Sequence, residues 1–125
     1  MFSHILTDGL RSKGKKTMTT EYAWKHADAV EVITYLSKKE CAILGGDVLN
    51  DNFSYTHDNW YYPENISFSL ERNIRESAAK AIEYVDWHNK NFGDDFYYIL
   101  VAIEKADYLL MICSPKTQNV DQTES

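Results

Sequence analysis

Side chains that could act as acids, bases, nucleophiles or metal ligands are scattered along this chain and form no known catalytic motif. The sequence contains no phosphate-binding glycine loop, no G-x-S-x-G elbow and no H-E-x-x-H zinc motif. No histidine stands at helical metal-site spacing from another histidine or from a cysteine. The sequence therefore predicts a protein that is not an enzyme and that needs no metal or cofactor. The four histidines are His4, His26, His57 and His88.

Two short segments concentrate the residues suited to binding a partner. The first, Gly45–Asp47, places two glycines inside an apolar strand. Glycines at such positions indicate a positive φ angle, a bulge or the close approach of another backbone. One interpretation is a β-bulge that only twists the sheet, and the other is a bulge that aims Asp47 outward toward a partner. The two interpretations are compatible.

The second segment, Asp58–Tyr62, joins a carboxylate to tryptophan and tyrosine, which are enriched at protein–protein interfaces. Alternation along a strand predicts Trp60 and Tyr62 on one face and Tyr61 on the other, and at least one of these faces should be core. His57 and Asp58 are neighbours on the same strand and should point apart, which disfavours an acid–base pair. The candidate partner-binding residues are Asp47, Asp58, Asn59, Trp60, Tyr61 and Tyr62.

The segments before the first binding segment predict one strand and one short helix. Residues 17–24 alternate β-forming side chains and predict a strand. Asp28, followed three residues later by Glu31, has the spacing of a capping box and predicts a helix over residues 28–39. The basic run Arg11–Lys16, which comes before both elements, predicts a solvated loop.

The two binding segments themselves lie on a predicted β-hairpin. Residues 41–49 form a short apolar run that predicts a buried strand. Residues 53–62 are rich in aromatic side chains and predict a second strand paired with the first. The sequence Asn-Asp-Asn at 50–52 has the composition of the turn between them. We therefore expect both segments to be held on neighbouring strands.

The longest predicted element is a helix of about 25 residues that begins after Asn65 and ends at Gly93, the residue type that favours a left-handed helix cap. Residues 96–103 and 108–113 predict two further strands joined by a turn. The polar segment 114–125 predicts a loose tail. The apolar stripe of the long helix consists of Leu70, Ile74, Ala78, Ala81, Ile82, Val85 and Phe92.

This order of elements predicts a single α+β domain over residues 1–113, with one short and one long helix packed on one face of a mostly antiparallel sheet. The chain has 125 residues, of which 44% are hydrophobic, and a formal net charge of −6. An acidic protein lacks the cationic face that binding to nucleic acid or to an anionic membrane requires. The composition therefore excludes both classes of partner and leaves other proteins.

The cysteines and the hydropathy pattern indicate a cytoplasmic protein. Cys41 and Cys113 lie far apart between apolar residues, which is typical of small buried side chains in a reducing compartment. Residues 1–10 lack the apolar stretch of a signal peptide. The longest apolar region, residues 97–113, is interrupted by three charged side chains and is not expected to span a bilayer.

A set of motifs along residues 20–103 resembles the immunity proteins of bacterial polymorphic toxin systems, and among them the immunity protein 40 family. The resemblance depends on the combination of an I-L-G-G-D-V run with a following D-N-W-Y, because short apolar-Gly-Gly motifs alone are common. It includes neither the basic run at 11–16 nor the chain after Glu104. The matching segments are residues 21–24, 42–48, 55, 58–61, 77–78, 81–84 and 97–101.

The resemblance implies a small cytosolic protein that binds one cognate toxin domain and neutralises it without catalysis. Many such toxins are nucleases with basic clefts, and an acidic partner can occupy such a cleft by complementary charge. Two alternatives remain open at the level of sequence. One is a small enzyme or ligand-binding protein that uses Asp47, His57 and Asp58, and the other is a structural oligomer that uses an exposed sheet edge. The oligomeric state is left open by the sequence.

Overall fold

A computed structural model describes residues 4–17 and 21–113 of the chain. These residues form one antiparallel sheet and four helices, which is an α+β architecture, as predicted. The prediction of a tail at 114–125 lies outside the described residues. In chain order the elements are α1 (Asp8–Lys13), β1 (Lys15–Lys16), β2 (Tyr22–Trp24), α2 (His26–Lys38), β3 (Cys41–Leu49), β4 (Tyr55–Tyr61), α3 (Leu70–Phe92), β5 (Tyr97–Glu104) and α4 (Lys105–Cys113).

The sheet has the strand order β1-β2-β5-β3-β4, and every neighbouring pair is antiparallel. Strand β5, although it is last in sequence, lies in the middle between β2 and β3. The hairpin predicted between β3 and β4 is confirmed, and it forms one edge of the sheet. Its turn is held by Asn50, whose side-chain oxygen accepts hydrogen bonds from the backbone N–H groups of Asn52 and Ser54.

The main core lies between one face of the sheet and helices α2 and α3. Alternate residues of the strands point to this face, and the two helices contribute their apolar stripes. Ser77 of α3 also binds the sheet directly, because its hydroxyl oxygen accepts a hydrogen bond of 2.9 Å from the Ile43 backbone N–H. Large buried side chains of this core include Trp24, Ile33, Leu36, Ile43, Trp60, Tyr98 and Leu100, with Val48 beside them.

Helix α2 begins two residues earlier than predicted, at His26. The N-cap position is Lys25, and no side chain caps the helix there. Asp28 is therefore not a capping residue but an acidic residue of the first turn, where its charge suits the positive end of the helix dipole. The capping-box spacing of Asp28 and Glu31 was misleading because the helical hydrogen bonds begin earlier, from the Ala29 N–H to the Lys25 carbonyl oxygen at 2.8 Å.

Helix α3 confirms the long predicted helix, with Gly93 at its C-cap at a φ angle of 95°. Of the predicted stripe, Ile74 and Val85 are buried, whereas Leu70 and Ile82 are only half-buried. The prediction was wrong for Phe92, whose side chain is 54% exposed in the last turn of the helix. The Phe92 ring packs from outside on His88, with ring centroids 4.7 Å apart, and leaves its outer side exposed.

Residues 108–113 form part of helix α4 and not the predicted strand. A strand joined to β5 by a tight turn would need a free edge of β5, and both edges are already paired with β2 and β3. The chain instead turns into a helix at Lys105, and Tyr108 is buried against Ala42 and Ile74. Two of the three charged residues between the predicted strands thus lie in the first turn of a helix.

The basic run Arg11–Lys16 is also structured, contrary to the predicted solvated loop. Its first residues end α1 and its last two form β1, which pairs with β2. This segment is fixed in place by the preceding residue, Leu10. Its side chain is buried, and its carbonyl oxygen accepts a hydrogen bond from the buried indole N–H of Trp24 at 3.0 Å. The predicted strand at 17–24 is shorter in the structure and consists of Tyr22–Trp24, with residues 18–20 outside the described part of the chain.

Candidate functional site

The register of the β3–β4 hairpin determines which candidate residues share a face. Asp47 lies opposite Asn59, Gly46 opposite Trp60, and Gly45 opposite Tyr61. Trp60 belongs to the core under α2 and α3, so its row of the sheet faces the helices. The rows on either side of it point to the opposite face.

Three candidate residues therefore meet on the face turned away from α2 and α3. Asp47, Asn59 and Tyr61 line a shallow depression of about 380 Å³, together with Val101 of the neighbouring strand β5. Tyr61 is 63% exposed and Val101 43% exposed. We call these four residues the hairpin patch. It combines one carboxylate, one amide, one phenol and one apolar side chain, a composition suited to contact with a protein.

The two glycines are required because other backbones approach them closely. A Cβ atom at Gly45 would collide with the carbonyl oxygen of Trp60. A Cβ atom at Gly46 would collide with the carbonyl oxygen of Ile99 and with the ring of Trp60. The pairing of β3 with β5 also shifts register between Ile43 and Gly45, which is the bulge that the glycines predicted. On the helix-covered face, the glycines thus leave room for the Trp60 ring. On the opposite face, they leave the centre of the hairpin patch without side chains.

Two carboxylates lie near Tyr55, the first residue of β4, on the face that carries the hairpin patch. Burial raises the pKa of the Tyr55 phenol, and the nearby carboxylates of Glu21 and Asp47 raise it further. Lys16 lines a depression with the same tyrosine, so this end of the face carries charges of both signs.

The remaining aromatic candidates support the hairpin from its other face. Trp60 is 7% exposed and stacks on Tyr84 of α3 with the ring centroids 4.9 Å apart. The hydroxyl of Tyr62, which is also buried, donates a hydrogen bond of 2.6 Å to the side-chain oxygen of Asn73. The prediction that Trp60 and Tyr62 lie on one face and Tyr61 on the other is confirmed, because the first two are buried and Tyr61 is exposed. The buried pair attaches the hairpin to α3 and presents little surface to a partner.

Asp58 lies on the helix-covered side, in the same row of side chains as Trp60, which is two residues further along β4. Its carboxylate faces His88 of α3, whose Nε2 atom lies 3.3 Å from it. Beside it, the pairing with β4 shifts between Asp47 and Leu49, and His57 adopts a φ angle of 75°. Left-handed backbone is uncommon for a residue other than glycine. Asp47, His57 and Asp58 therefore do not converge on one catalytic centre.

His88 is fully buried and forms the centre of a cluster of aromatic rings that the sequence did not predict. A carboxylate can only accept a hydrogen bond, so His88 Nε2 is the donor to Asp58. The other nitrogen of the neutral ring, Nδ1, then accepts a hydrogen bond of 3.0 Å from the Tyr98 hydroxyl. The signal in the sequence was aromatic spacing at i, i+4 and i+8 along α3, from Tyr84 through His88 to Phe92. The rings around His88 are Tyr84, Trp87, Phe92, Phe96 and Tyr98.

Within residues 4–17 and 21–113, no group of three or more histidine, cysteine, aspartate or glutamate side chains is arranged to hold a metal ion. In the same residues, no helix has the length and apolar character needed to cross a bilayer. Burial raises the pKa of the Cys41 thiol to about 11, so this cysteine is a poor nucleophile near neutral pH.

Comparison with known proteins gives one match. The family described as Immunity protein 40 matches residues 10–102, which is most of the chain and includes the basic run that the motifs did not cover. No curated protein and no solved structure matches the chain. The matched region contains the whole β3–β4 hairpin and all of α3.

Proposed function

The chain belongs to the immunity protein 40 family, and we propose that it binds a cognate bacterial toxin domain and neutralises it by non-covalent occlusion, without catalysis. The family match over residues 10–102 is the observation that carries this proposal. An immunity protein has to recognise one toxin and block its action, which needs a surface rather than a reactive centre. The proposed place of action is the bacterial cytoplasm.

We propose the hairpin patch as a contact surface for the toxin. Asp47 and Asn59 offer a carboxylate and an amide side by side across two strands, and Tyr61 projects beside them. The backbone beneath is held by the close contacts at Gly45 and Gly46, so little ordering is needed when a partner binds. We also propose Asp58 as a toxin contact, although it lies on the opposite side of the hairpin, where half of its side chain is exposed.

The charge of the protein favours a toxin with a cationic active cleft, such as a nuclease. The net charge of −6 and the carboxylates near Tyr55 would attract such a cleft over a distance of about a Debye length. Occupying the cleft would exclude the toxin's own anionic substrate by competition for the same positive groups. The chain itself would not bind nucleic acid, because it presents the same sign of charge as the phosphate backbone.

The test uses the toxin domain encoded immediately upstream of this chain's gene, co-expressed with the protein and then purified for affinity measurement. Asp47→Asn and Tyr61→Ala should each weaken binding by about 1–3 kcal/mol, because both side chains would be desolvated in the complex. Asp51→Asn is the matched control, since Asp51 is an exposed carboxylate in the hairpin turn. Trp60→Ala is unsuitable, because the loss of a buried ring would destabilise the fold.

The result that overturns this surface is equal protection of cells by the parent, Asp47→Asn and Tyr61→Ala proteins. Failure of the parent to bind the upstream toxin domain or to protect cells from it would overturn the immunity function with that partner. Circular dichroism of each variant, which should match that of the parent, separates a lost contact from a lost fold. The behaviour of the parent protein therefore distinguishes the two failures. If the parent binds and protects but the variants do so equally well, only the proposed surface is wrong.

A further inference from the structure

We propose that the C-terminal half of α3 carries a second interaction surface, which takes a lysine- or arginine-bearing segment of a partner protein. Its aromatic part, which we call the aromatic platform, consists of Tyr84, Trp87 and Phe92. Trp87 is 51% exposed and Phe92 54% exposed, and the two rings contact each other with centroids 5.8 Å apart. Two large exposed rings in contact form an apolar patch of the kind that marks interaction sites.

The platform is rigid because its rings are fixed from below. His88 lies between Trp87 and Phe92 in sequence and is fully buried. Its ring nitrogens form hydrogen bonds with Tyr98 and Asp58. Tyr84 lies between Trp60 on one side and Trp87 on the other, with ring centroids 4.9 and 5.7 Å away. Rings already held in place lose little conformational entropy on binding, which is a property of binding hot spots.

Two carboxylates beside the rings, Glu83 and Asp58, outnumber the one lysine of the same depression, Lys80, and favour a cationic partner. Glu83 lines a depression of about 290 Å³ with Tyr84, Trp87 and Lys80. Asp58 lies near enough to Tyr84 to raise the pKa of its phenol, an effect that comes second to burial. A guanidinium or ammonium group placed over the Trp87 ring could pair with these carboxylates while it contacts the ring face. An anionic segment would meet repulsion from the same groups.

Strand β4 brings Asp58 to the rim of the platform. Asp58 lies in the same row of side chains as Trp60, which stacks on Tyr84 of the platform. Its carboxylate faces His88 at 3.3 Å, and half of its side chain stays exposed. The assignment of the cationic segment to the toxin rests on the function proposed above.

The first test is NMR titration of the protein with an acetylated hexa-arginine peptide, with a hexa-glutamate peptide as control. We expect the Trp87 indole N–H signal to shift with arginine and not with glutamate. Trp87→Leu keeps an apolar side chain but removes the ring, and should weaken peptide binding at least about 10-fold. Trp87→Phe keeps a ring and should stay within about 3-fold of the parent. Equal binding by the Leu and Phe variants, or no shift at Trp87, overturns the proposal.

The second test repeats the comparison with the upstream toxin domain. Weaker binding by Trp87→Leu, by at least about 10-fold, with Trp87→Phe near the parent, supports the platform as a toxin contact. Toxin binding that is the same for the Leu variant and the parent overturns that role, while the proposed immunity function stands. If the parent does not bind the toxin, the proposed function fails, and the peptide titration still decides whether the platform takes cationic segments.

Discussion

At the residue scale, Gly46 and His57 are two positions in the hairpin where the backbone conformation or packing is unusual. Gly46 lies beneath the Trp60 ring and beside the Ile99 carbonyl group, where no Cβ atom fits. His57 adopts a left-handed conformation that a residue with a Cβ atom disfavours. The first position sets how closely three strands approach one another, and the second lies where the pairing of β3 with β4 shifts.

Gly46→Ala should destabilise the protein by about 3 kcal/mol, because the added methyl group meets a backbone carbonyl that cannot move without distorting β5. The control is Gly9→Ala in α1, where the new methyl group has open space apart from an ordinary contact with Thr7. That change should be neutral or stabilise by up to about 1 kcal/mol. Urea unfolding measures both, and equal stabilities of the two variants would refute the close approach at Gly46.

His57→Gly should be more stable than His57→Ala by roughly 1 kcal/mol. Both variants lose the imidazole, but only glycine adopts a φ angle of 75° without steric cost. The gain is reduced by the greater freedom of glycine in the unfolded chain. Urea unfolding of the two variants gives the difference directly. An alanine variant as stable as the glycine variant would show that the left-handed conformation is absent in solution.

At the scale of elements, α3 both holds the β3–β4 hairpin in place and carries the aromatic platform. Its buried side fixes the strands through Ser77 and Asn73, and its last turns carry the aromatic platform. The hairpin occupies the edge of the sheet, where an exposed strand could pair with another chain. The bulge at His57 interrupts that edge, which disfavours the structural oligomer considered as an alternative.

Ile74→Ala and Ile82→Ala test the orientation of α3. Ile74 is 2% exposed and packs with Ala42 and Tyr108, so its truncation should cost about 2–5 kcal/mol. Ile82 is only half-buried, and its truncation should cost less than about 2 kcal/mol. Ile66→Ala, in the exposed loop before α3, is the control and should be near neutral. A larger loss at Ile82 than at Ile74 in urea unfolding would mean that the helix is rotated.

The first turns of α3 and α4 are joined by Lys105, which pairs with Glu71 at 3.0 Å and with Glu40 at 3.5 Å. The pKa of Glu71 is lowered first by a backbone N–H at the start of α3 and then by Lys105. Lys105→Gln should therefore raise the Glu71 pKa only partway to its ordinary value, as measured by NMR titration of the carboxyl carbon.

The sign of the pH effect follows from the lowered pKa of Glu71. Its contribution to stability is present above the ordinary glutamate pKa and is lost as the pH falls through the lowered value in the folded protein. The parent and Lys105→Gln should therefore converge in stability in acid and differ near neutral pH. Because both side chains are exposed, the difference should be small. A Glu71 pKa that Lys105→Gln leaves unchanged would exclude the ion pair.

At the scale of the whole molecule, the acidic charge connects the two proposed surfaces. The hairpin patch and the aromatic platform lie on opposite sides of the hairpin, and each has at least one carboxylate beside an aromatic ring. Neither surface alone determines how fast a partner arrives, because long-range attraction depends on the summed charge of the molecule. The net charge of −6 should therefore act mainly on the association rate.

The association rate with a cationic toxin domain should fall about 10-fold or more when the ionic strength rises from about 0.05 M to about 0.5 M. The dissociation rate should change much less, because contacts within the complex are screened only weakly. Stopped-flow fluorescence at several salt concentrations measures both rates. An association rate independent of salt would exclude electrostatic steering and would favour a neutral toxin surface.

The sequence by itself determined the local elements and the family. Periodicity along α3 and the apolar run of β3 are properties of neighbouring residues, and each was sufficient to predict its element. The Asn50 turn fixed the β3–β4 pairing for the same reason, since the residues that form it are adjacent in the chain. The family motifs likewise lie mainly within these elements, and the match over residues 10–102 confirmed them.

Only the tertiary structure decided how distant segments meet. Residues 108–113 are apolar enough for a strand, but the pairing of β5 with β2 and β3 leaves no edge for one. Alternation along β4 places Asp58 in the row of Trp60, but its partner His88 comes from α3, 30 residues away along the chain. The burial of His88 depends on Asp58 and Tyr98 from two separate strands. Such features arise from long-range packing, which propensity and periodicity do not encode.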